Sequence, residues 1–214
     1  MYSSIIRSQR FIKSFSSMSS TQSRFIVALS NVISFKPENK LVFLFSFSHE
    51  GEDSSSLVPN LEMVIPSVSF SLYSSCESLH GIVALKTQGG LILCNPSTEQ
   101  AITVPPCLVS LFGYDPIDDQ HKVVFGRSLS PHHELPGEHK VLTLGGGQGW
   151  RRIQVDFDYT VESPKEVCIN GFVYFSAYSP TKPMNPCIVC FDVRSEKISY
   201  IKATRGCGLL AWDS

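Results

Sequence analysis

Three groups of residues in this sequence have the types and spacing for chemistry. His132, His133, Glu134, Glu138 and His139 gather imidazoles and carboxylates within SPHHELPGEH, and His133 with His139 has the makings of a shared metal site. The segment contains Pro and Gly and lacks the helix that fixes the i,i+4 geometry of an HExxH site, so it reads as a solvated polar loop. Cys187-x-x-Cys190 has redox or zinc spacing, but no second CxxC accompanies it and CIVCFDV is strand-like text. Residues three apart on a strand point to opposite faces, which separates the two thiols and makes them buried structural cysteines. Gly145, Gly146, Gly147 and Gly149 invite a phosphate-loop reading. A P-loop needs Gly-Lys-Ser/Thr and a helix N-terminus, whereas Trp150-Arg151-Arg152-Ile153 opens another strand, so the glycines read as a hairpin turn.

The remaining candidates are weaker. No Gly-x-Ser-x-Gly elbow occurs, and no Cys/His pair has a recognisable nucleophile setting. His80 and His121 stand at strand starts and read as turn residues. Arg151 and Arg152 beside Trp150 suit either a rim contact with cation–π character or an ordinary solvated strand face, the simpler reading. Trp150, Tyr159 and Tyr178 would favour a small-molecule or glycan-binding β-domain if they lined one pocket. No catalytic, cofactor-binding or metal residue is assigned, and partner-binding residues are not named. The expectation is a non-catalytic module without a cofactor.

The elements that would carry such residues are strands. Short β-branched and aromatic runs are punctuated by turn residues: RFIVAL (24–29), LVFLFSFS (41–48), GIVAL (81–85), GLILCN (90–95), HKVVFG (121–126), HKVLTL (139–144), WRRIQVDF (150–157), GFVYFSA (171–177), CIVCFDV (187–193) and KISYIK (197–202). LVFLF and CIVCF are apolar on both faces and read as inner strands, while Lys197, Ser199 and Lys202 are set against Ile198, Tyr200 and Ile201. A weak repeat organises them. His80-Gly81 with IVAL and LILCNPSTEQAITVP is echoed by Asn170-Gly171 with FVYF and IVCFDVRSEKISYIK, and the two glycines lie 171 − 81 = 90 residues apart. That is about twice the 40 to 50 residues of a four-stranded propeller blade, and FGYDPIDDQHKVV with HKVLTLGGGQGWRRI would supply the blade between. The polar turns NPSTEQ, DPIDDQ and DVRSEK each separate two strands of a meander.

Composition agrees with one soluble domain. The 214 residues are 43% hydrophobic and 17% charged, with 18 Lys+Arg against 19 Asp+Glu, a balance that excludes wholesale disorder and supplies no basic field for nucleic acid or an acidic membrane. No run approaches the roughly 20 apolar residues of a spanning helix. Seven cysteines, an odd number in mostly apolar settings, suit free thiols of a reducing compartment, so a cytoplasmic or nuclear location is expected. Residues 1–37 lack Asp and Glu and are serine-rich and basic, as transit peptides are, whereas Ile5, Phe11, Ile12 and Phe15 have the spacing of a short amphipathic helix.

Taken in order, CNPSTEQAITVPP (94–106), FGYDPIDDQHKVV (112–124), HKVLTLGGGQGWRRIQ (139–154), VCINGFVYFSAYS (167–179) and IVCFDVRSEKISYIKA (188–203) resemble the plant F-box-associated domain of type 3, and YSSIIRSQRFIKSF (2–15) resembles the end of an F-box. The resemblance implies an all-β fold, a partial β-propeller or kelch-like domain at 24–214, incomplete at its C-terminus. A short N-terminal helix at 1–20, the remnant of the F-box, would precede it. It implies the function of a substrate receptor in a cullin-type ubiquitin ligase, with a Skp-type adaptor and cullin as family partners and an unknown protein substrate, bound through loops such as 49–60, 128–138 and 178–186. Because the adaptor-contacting helices precede the matching segment, no stable adaptor complex is expected. A degenerate product without a ligase role is the alternative. Open strand edges at RFIVAL and GLLAW are expected to promote association.

Overall fold

The structure is a computed structural model that describes residues 25–31, 41–49, 57–68, 74–87, 90–104, 109–126, 138–147, 149–179 and 185–202. The expected N-terminal helix, the transit-peptide stretch to residue 24, His132, His133, Glu134 and the GLLAW segment lie outside these residues. Fifteen strands are described: β1 (Phe25–Ser30), β2 (Leu41–His49), β3 (Leu57–Pro66), β4 (Ser75–Leu79), β5 (Ile82–Thr87), β6 (Gly90–Asn95), β7 (Gln100–Val104), β8 (Val109–Asp115), β9 (Gln120–Gly126), β10 (His139–Thr143), β11 (Arg151–Ile153), β12 (Thr160–Ile169), β13 (Phe172–Ser179), β14 (Asn185–Asp192) and β15 (Ile198–Lys202). They form four antiparallel sheets, β1-β2-β3, β4-β5-β6-β7, β11-β10-β9-β8 and β12-β13-β14-β15, in which every hydrogen-bonded neighbour is also a neighbour in sequence. The fold is all-β. Among the described residues the helical structure is one 3-10 turn, Pro96–Thr98.

The chain divides into two compact units, one of residues 1–106 with 145–147 and the other of 107–144 with 148–214. In the first, Val42, Leu44, Met63 and Ile65 from one face of β1–β3 pack on Val83, Leu85, Ile92 and Cys94 of β5 and β6. In the second, Leu111, Val124 and Val141 of β8–β10 pack on Val173, Phe175, Ala177, Val189 and Phe191 of β13 and β14. Each sheet thus buries a face that alternate strand residues make apolar.

The repeat read from the sequence is real at the level of backbone. His80-Gly81 joins β4 to β5 and Asn170-Gly171 joins β12 to β13, all four with positive φ (41°, 86°, 51° and 85°), the conformation of a two-residue hairpin turn that twists with its strands. The three polar turns also share one chemistry. Ser97 N–H donates to Asn95 Oδ1 at 3.1 Å, Ile117 N–H to Asp115 Oδ1 at 2.9 Å, and Arg194 N–H to Asp192 Oδ1 at 3.0 Å. Four residues after each cap, Glu99, Asp119 and Glu196 take φ of 52°, 50° and 60°. A short polar side chain folding back on the backbone starts each turn, and a left-handed residue ends it.

Elements missing from the sequence reading are mostly edge strands. β3 runs through Pro59 and Pro66, and its first residues fall in the expected loop 49–60; as an edge strand it can omit ladder donors on its free side. β12 contains Pro164 and shifts register between Val161 and Glu166, which hides its period, and it too is an edge. β4 and β7 alternate with polar residues. WRRIQVDF contributes only Arg151–Ile153, and Tyr178, Ser179, Asn185 and Pro186 of the expected loop 178–186 belong to β13 and β14. The inner position of β2 and β14 agrees with their two-faced apolar text.

In the second unit β12 covers the edge of β8. Phe112 N–H donates to Glu166 Oε1 at 2.7 Å, and Cys168 Sγ lies 3.8 Å from the Tyr114 carbonyl. Gly113, between them, allows this approach: a Cβ there would lie 2.6 Å from Val193 Cγ2 and 2.7 Å from Val173 Cγ2. Gly113→Ala is therefore expected to destabilise the second unit by about 1–3 kcal/mol through overpacking, read as a lower denaturation midpoint at unchanged m-value.

The Asp192 turn gives a second expectation. Burial raises the Asp192 carboxyl, but the Ser195 hydroxyl, the Ser195 and Arg194 N–H groups and the Lys122 charge outweigh it and hold the carboxyl below its ordinary value. The folded state therefore binds this proton more weakly than the unfolded chain. The stabilisation is complete above the ordinary carboxylate range and is lost as pH falls through the folded-state value. Asp192→Asn keeps the turn-forming oxygen but removes the charge, and is expected to lower stability modestly at neutral pH and to flatten the acid limb of the stability profile, as thermal melts between pH 3 and 7 would show.

Candidate functional site

The short strand β11 divides the chemistry of its neighbourhood between two faces. Its register with β10, Lys140↔Arg152 and Val141↔Arg151, places the adjacent arginines on opposite sides of the sheet. Arg151 turns toward the core side, where Nε donates to Glu196 Oε2 at 3.0 Å and Nη2 pairs with Glu196 Oε1. Lys122 Nζ reaches the same Glu196 Oε1 at 2.8 Å, and the Arg194 carbonyl at 3.4 Å. Arg151 also donates to Thr143 Oγ1 at 3.3 Å. Two cations thus close on one carboxylate that ends the Asp192 turn, tying β9 and β11 to the β14–β15 connection. The Lys122 side chain is 6% exposed and that of Glu196 17%. Burial, then the Arg151 charge, lowers the Lys122 ammonium from its ordinary value against the opposing pull of Asp115, Asp118 and Asp192.

The other face is open. Trp150 stacks on Phe125 with ring centroids 4.2 Å apart and planes 16° apart. Around the pair, Glu138 bridges Arg152 at 2.8 Å and Lys140 at 3.3 Å. The Arg152 side chain is 75% exposed, and Trp150 is also exposed. The result is an aromatic platform rimmed by exposed, ion-paired charges. Tryptophan and arginine at an exposed position are the residue types that anchor protein–protein contacts.

The residues singled out from sequence separate in the structure. Glu138 is exposed and ion-paired, whereas its neighbour His139 is buried and shares a 2.7 Å hydrogen bond with the Tyr159 hydroxyl. The two therefore point apart. Among the described residues no three His, Cys, Asp or Glu side chains are placed to hold a metal. Cys187 lies in the second unit's core, opposite Ala177, and Cys190 lies opposite Tyr174 on the other face. Burial raises both thiols, and it pushes Cys94 up to about 12, so none is a ready thiolate at neutral pH. Gly145, Gly146, Gly147 and Gly149 fall in the connection between β10 and β11.

Two readings need correction. His121 is not a turn residue: it is the second residue of β9, buried, with its ring 5.5 Å from Phe112 and 4.8 Å from Tyr114. Arg151 is not a solvated strand residue, for the reasons above, and the ring partner of Trp150 is Phe125 rather than an arginine. Trp150 and Tyr159 belong to different aromatic groups, since Tyr159 is buried against His139, Phe157 and Phe175. Phe125 and Glu196 escaped the sequence reading. Phe125 was legible as the partner of Lys140 once β9 and β10 were paired; Glu196 carried no signal beyond a polar turn.

Residues 30–212 match the family described as the F-box associated beta propeller domain. The chain belongs to that family. Its four meanders correspond to the blades the family description implies. Among curated relatives from Arabidopsis thaliana, At1g32660 is 51% identical over 208 residues, covering 95% of this chain and 46% of its own length. F-box protein At1g30790 is 46% identical over 222 residues, covering 96% of this chain and 56% of its own. F-box protein DOR is 33% identical over 223 residues, at 94% and 54%. The chain thus spans about half the length of the curated relatives it matches. A WD40 domain of SCAP from fission yeast covers 87% of this chain and 54% of that one, at 10% identity and a TM-score of 0.28, and carries no part of the assignment. No helix among the described residues is long and apolar enough to cross a membrane.

Glu196→Gln keeps the side-chain shape but leaves Lys122 and Arg151 without their acid. A loss of about 2–3 kcal/mol is expected, at the low end for a buried pair because Arg151 is partly solvated. Adding Lys122→Met is expected to restore part of it, measured as a positive coupling in a double-mutant cycle of chemical denaturation.

Proposed function

We propose that this chain is the partner-capturing β-domain of an F-box-type substrate receptor, a non-catalytic module that holds a protein for a cullin-type ubiquitin ligase. The observation that carries the reading is the Trp150–Phe125 platform with its Arg152, Glu138 and Lys140 rim on the open side of β9–β11. A stacked indole offers a large rigid contact area at little entropic cost, and a guanidinium 75% exposed beside it can pair with a carboxylate brought by the partner. Family membership and the names of the relatives support the ligase setting. In this reading adaptor contact belongs to F-box helices, while residues 24–214 supply recognition, and cytoplasm or nucleus is where such a receptor would work.

Proximity labelling by the full chain in plant cells, followed by direct binding to the enriched proteins, tests the reading. Trp150→Ala and Arg152→Glu are each expected to weaken binding to at least one such protein tenfold or more, with far-UV circular dichroism and melting temperature retained. Equal binding by wild type and both variants would remove the platform from the recognition surface. Turnover of a small substrate that survives both substitutions would favour a different class of function.

A further inference from the structure

Strands β9, β10 and β11 set one line of chemistry across the face that carries Trp150. The register pairs Phe125 with Lys140 and Lys140 with Arg152, so an aromatic ring and two cations occupy successive strands in a single row. Trp150 enters the same face two residues before Arg152, since its ring stacks on that of Phe125 at 4.2 Å. Side chains two residues apart on an extended chain share a face at a spacing of about 7 Å. Indole and guanidinium therefore stand side by side along the margin of the sheet, where β11 has β10 as its only ladder neighbour among the described residues.

The charges in this row do not balance. Glu138 serves both Arg152, at 2.8 Å, and Lys140, at 3.3 Å, so one acid shared by two bases leaves 2 − 1 = 1 positive charge on the rim. The Arg152, Lys140 and Glu138 side chains are 75%, 44% and 48% exposed, and ion pairs this solvated hold weakly enough to exchange. Glu138 engages Arg152 through Nη2, and a guanidinium carries five N–H donors, enough for a second carboxylate.

We propose, resting on the partner-capturing reading of this platform, that it takes an extended peptide segment bearing an Asp or Glu two residues from a large apolar side chain. The carboxylate pairs with Arg152 and Lys140, and the apolar group lies against the Trp150–Phe125 stack. The extended form follows from the two-residue spacing, because a helix brings side chains three or four residues apart to one face. The charge selects the acid. One unbalanced positive charge matches one carboxylate, whereas a phosphate monoester with about −1.5 to −2 would leave negative excess beside Glu138. Nucleic acid also stacks on exposed indoles, but it needs a basic groove, and 18 Lys+Arg against 19 Asp+Glu with an acid inside the rim supplies none. Glu138 thereby gains a role: it occupies the two cations until the partner's acid joins or replaces it, and so competes with the ligand.

The test selects random displayed peptides of about twelve residues on the immobilised full chain, then measures synthetic copies of the enriched sequences by fluorescence anisotropy. Enriched peptides are expected to carry an acid two residues from an aromatic or large aliphatic residue. Trp150→Ala and Arg152→Glu are each expected to weaken them at least about tenfold, and Arg152→Glu to prefer copies in which Lys replaces the acid. Glu138→Gln is expected to tighten binding by about threefold or more, a sign opposite to that of a merely structural residue. Should Trp150→Ala fail to give a cooperative melt, the Glu138→Gln and Arg152→Glu results decide. Neutral or basic peptides that depend on Trp150 would overturn this inference and leave the platform as a capture surface. Enrichment of nothing, or of peptides indifferent to Trp150 and Arg152, would overturn the inference and count against the platform as well. Tenfold tighter binding when phosphoserine replaces the acid, or competition by oligothymidylate, would overturn it in favour of a phosphate or a nucleic-acid site.

Discussion

A sheet that is apolar on both faces cannot be stable alone, and the rest of this structure follows from that constraint. β5 reads IVALKT with its first five residues buried, and β6 and β9 are nearly as covered, so alternate residues of one strand are withdrawn from water on opposite sides. Such a sheet must sit between two others or leave a hydrophobic face in solvent. The polar chemistry is accordingly pushed to the margins: the caps of turns, the edges of outer strands and the rims where β10 and β11 end.

At those margins electrostatics does the joining that apolar packing cannot. Glu166 of β12 accepts from the free Phe112 N–H of β8, so the edge of one sheet is closed by a side chain of the next. Glu196, at the end of the Asp192 turn, gathers Lys122 and Arg151. One turn motif does two jobs, reversing the chain and presenting a carboxylate to the adjacent sheet. In the corresponding turns Glu99 and Asp119 occupy the same backbone position, Asp119 accepting from the Tyr114 hydroxyl at 2.8 Å. Burial, then Asp119 and Asp115, pushes that phenol up to about 12, so it remains a donor throughout the ordinary pH range.

Inner strands were legible in the sequence because two-faced burial writes an unbroken apolar run, as in LVFLF and CIVCF. The turns were legible because Gly81 and Gly171 follow His80 and Asn170, and because Asn95, Asp115 and Asp192 begin polar stretches of one length. Edge strands were not. β3 carries two prolines, β12 a proline and a register shift, and both need neighbours on one side only, which relaxes the pattern that identifies a strand. The platform was half legible: Trp150 stood out by type, but its partner Phe125 depends on cross-strand register, which no local window contains. The opposite fates of Arg151 and Arg152 follow from the two-residue period of β11, and the sequence reading missed them by treating the pair as one feature.

Because hydrogen-bonded strands in each described sheet are consecutive in sequence, no ladder among the described residues waits for a distant part of the chain. The sheets occupy 25–66, 75–104, 109–153 and 160–202, each short enough to complete its hydrogen bonds soon after its last strand leaves the ribosome, at synthesis rates of roughly 5–20 residues per second. What must wait is the covering of the second face, which needs the sheet still to be made. Within each unit the earlier sheet therefore stays paired but uncovered until the later one is made. The most vulnerable moment is the pause between sheets, when backbone ladders are satisfied and a chaperone would meet side chains rather than open strand edges.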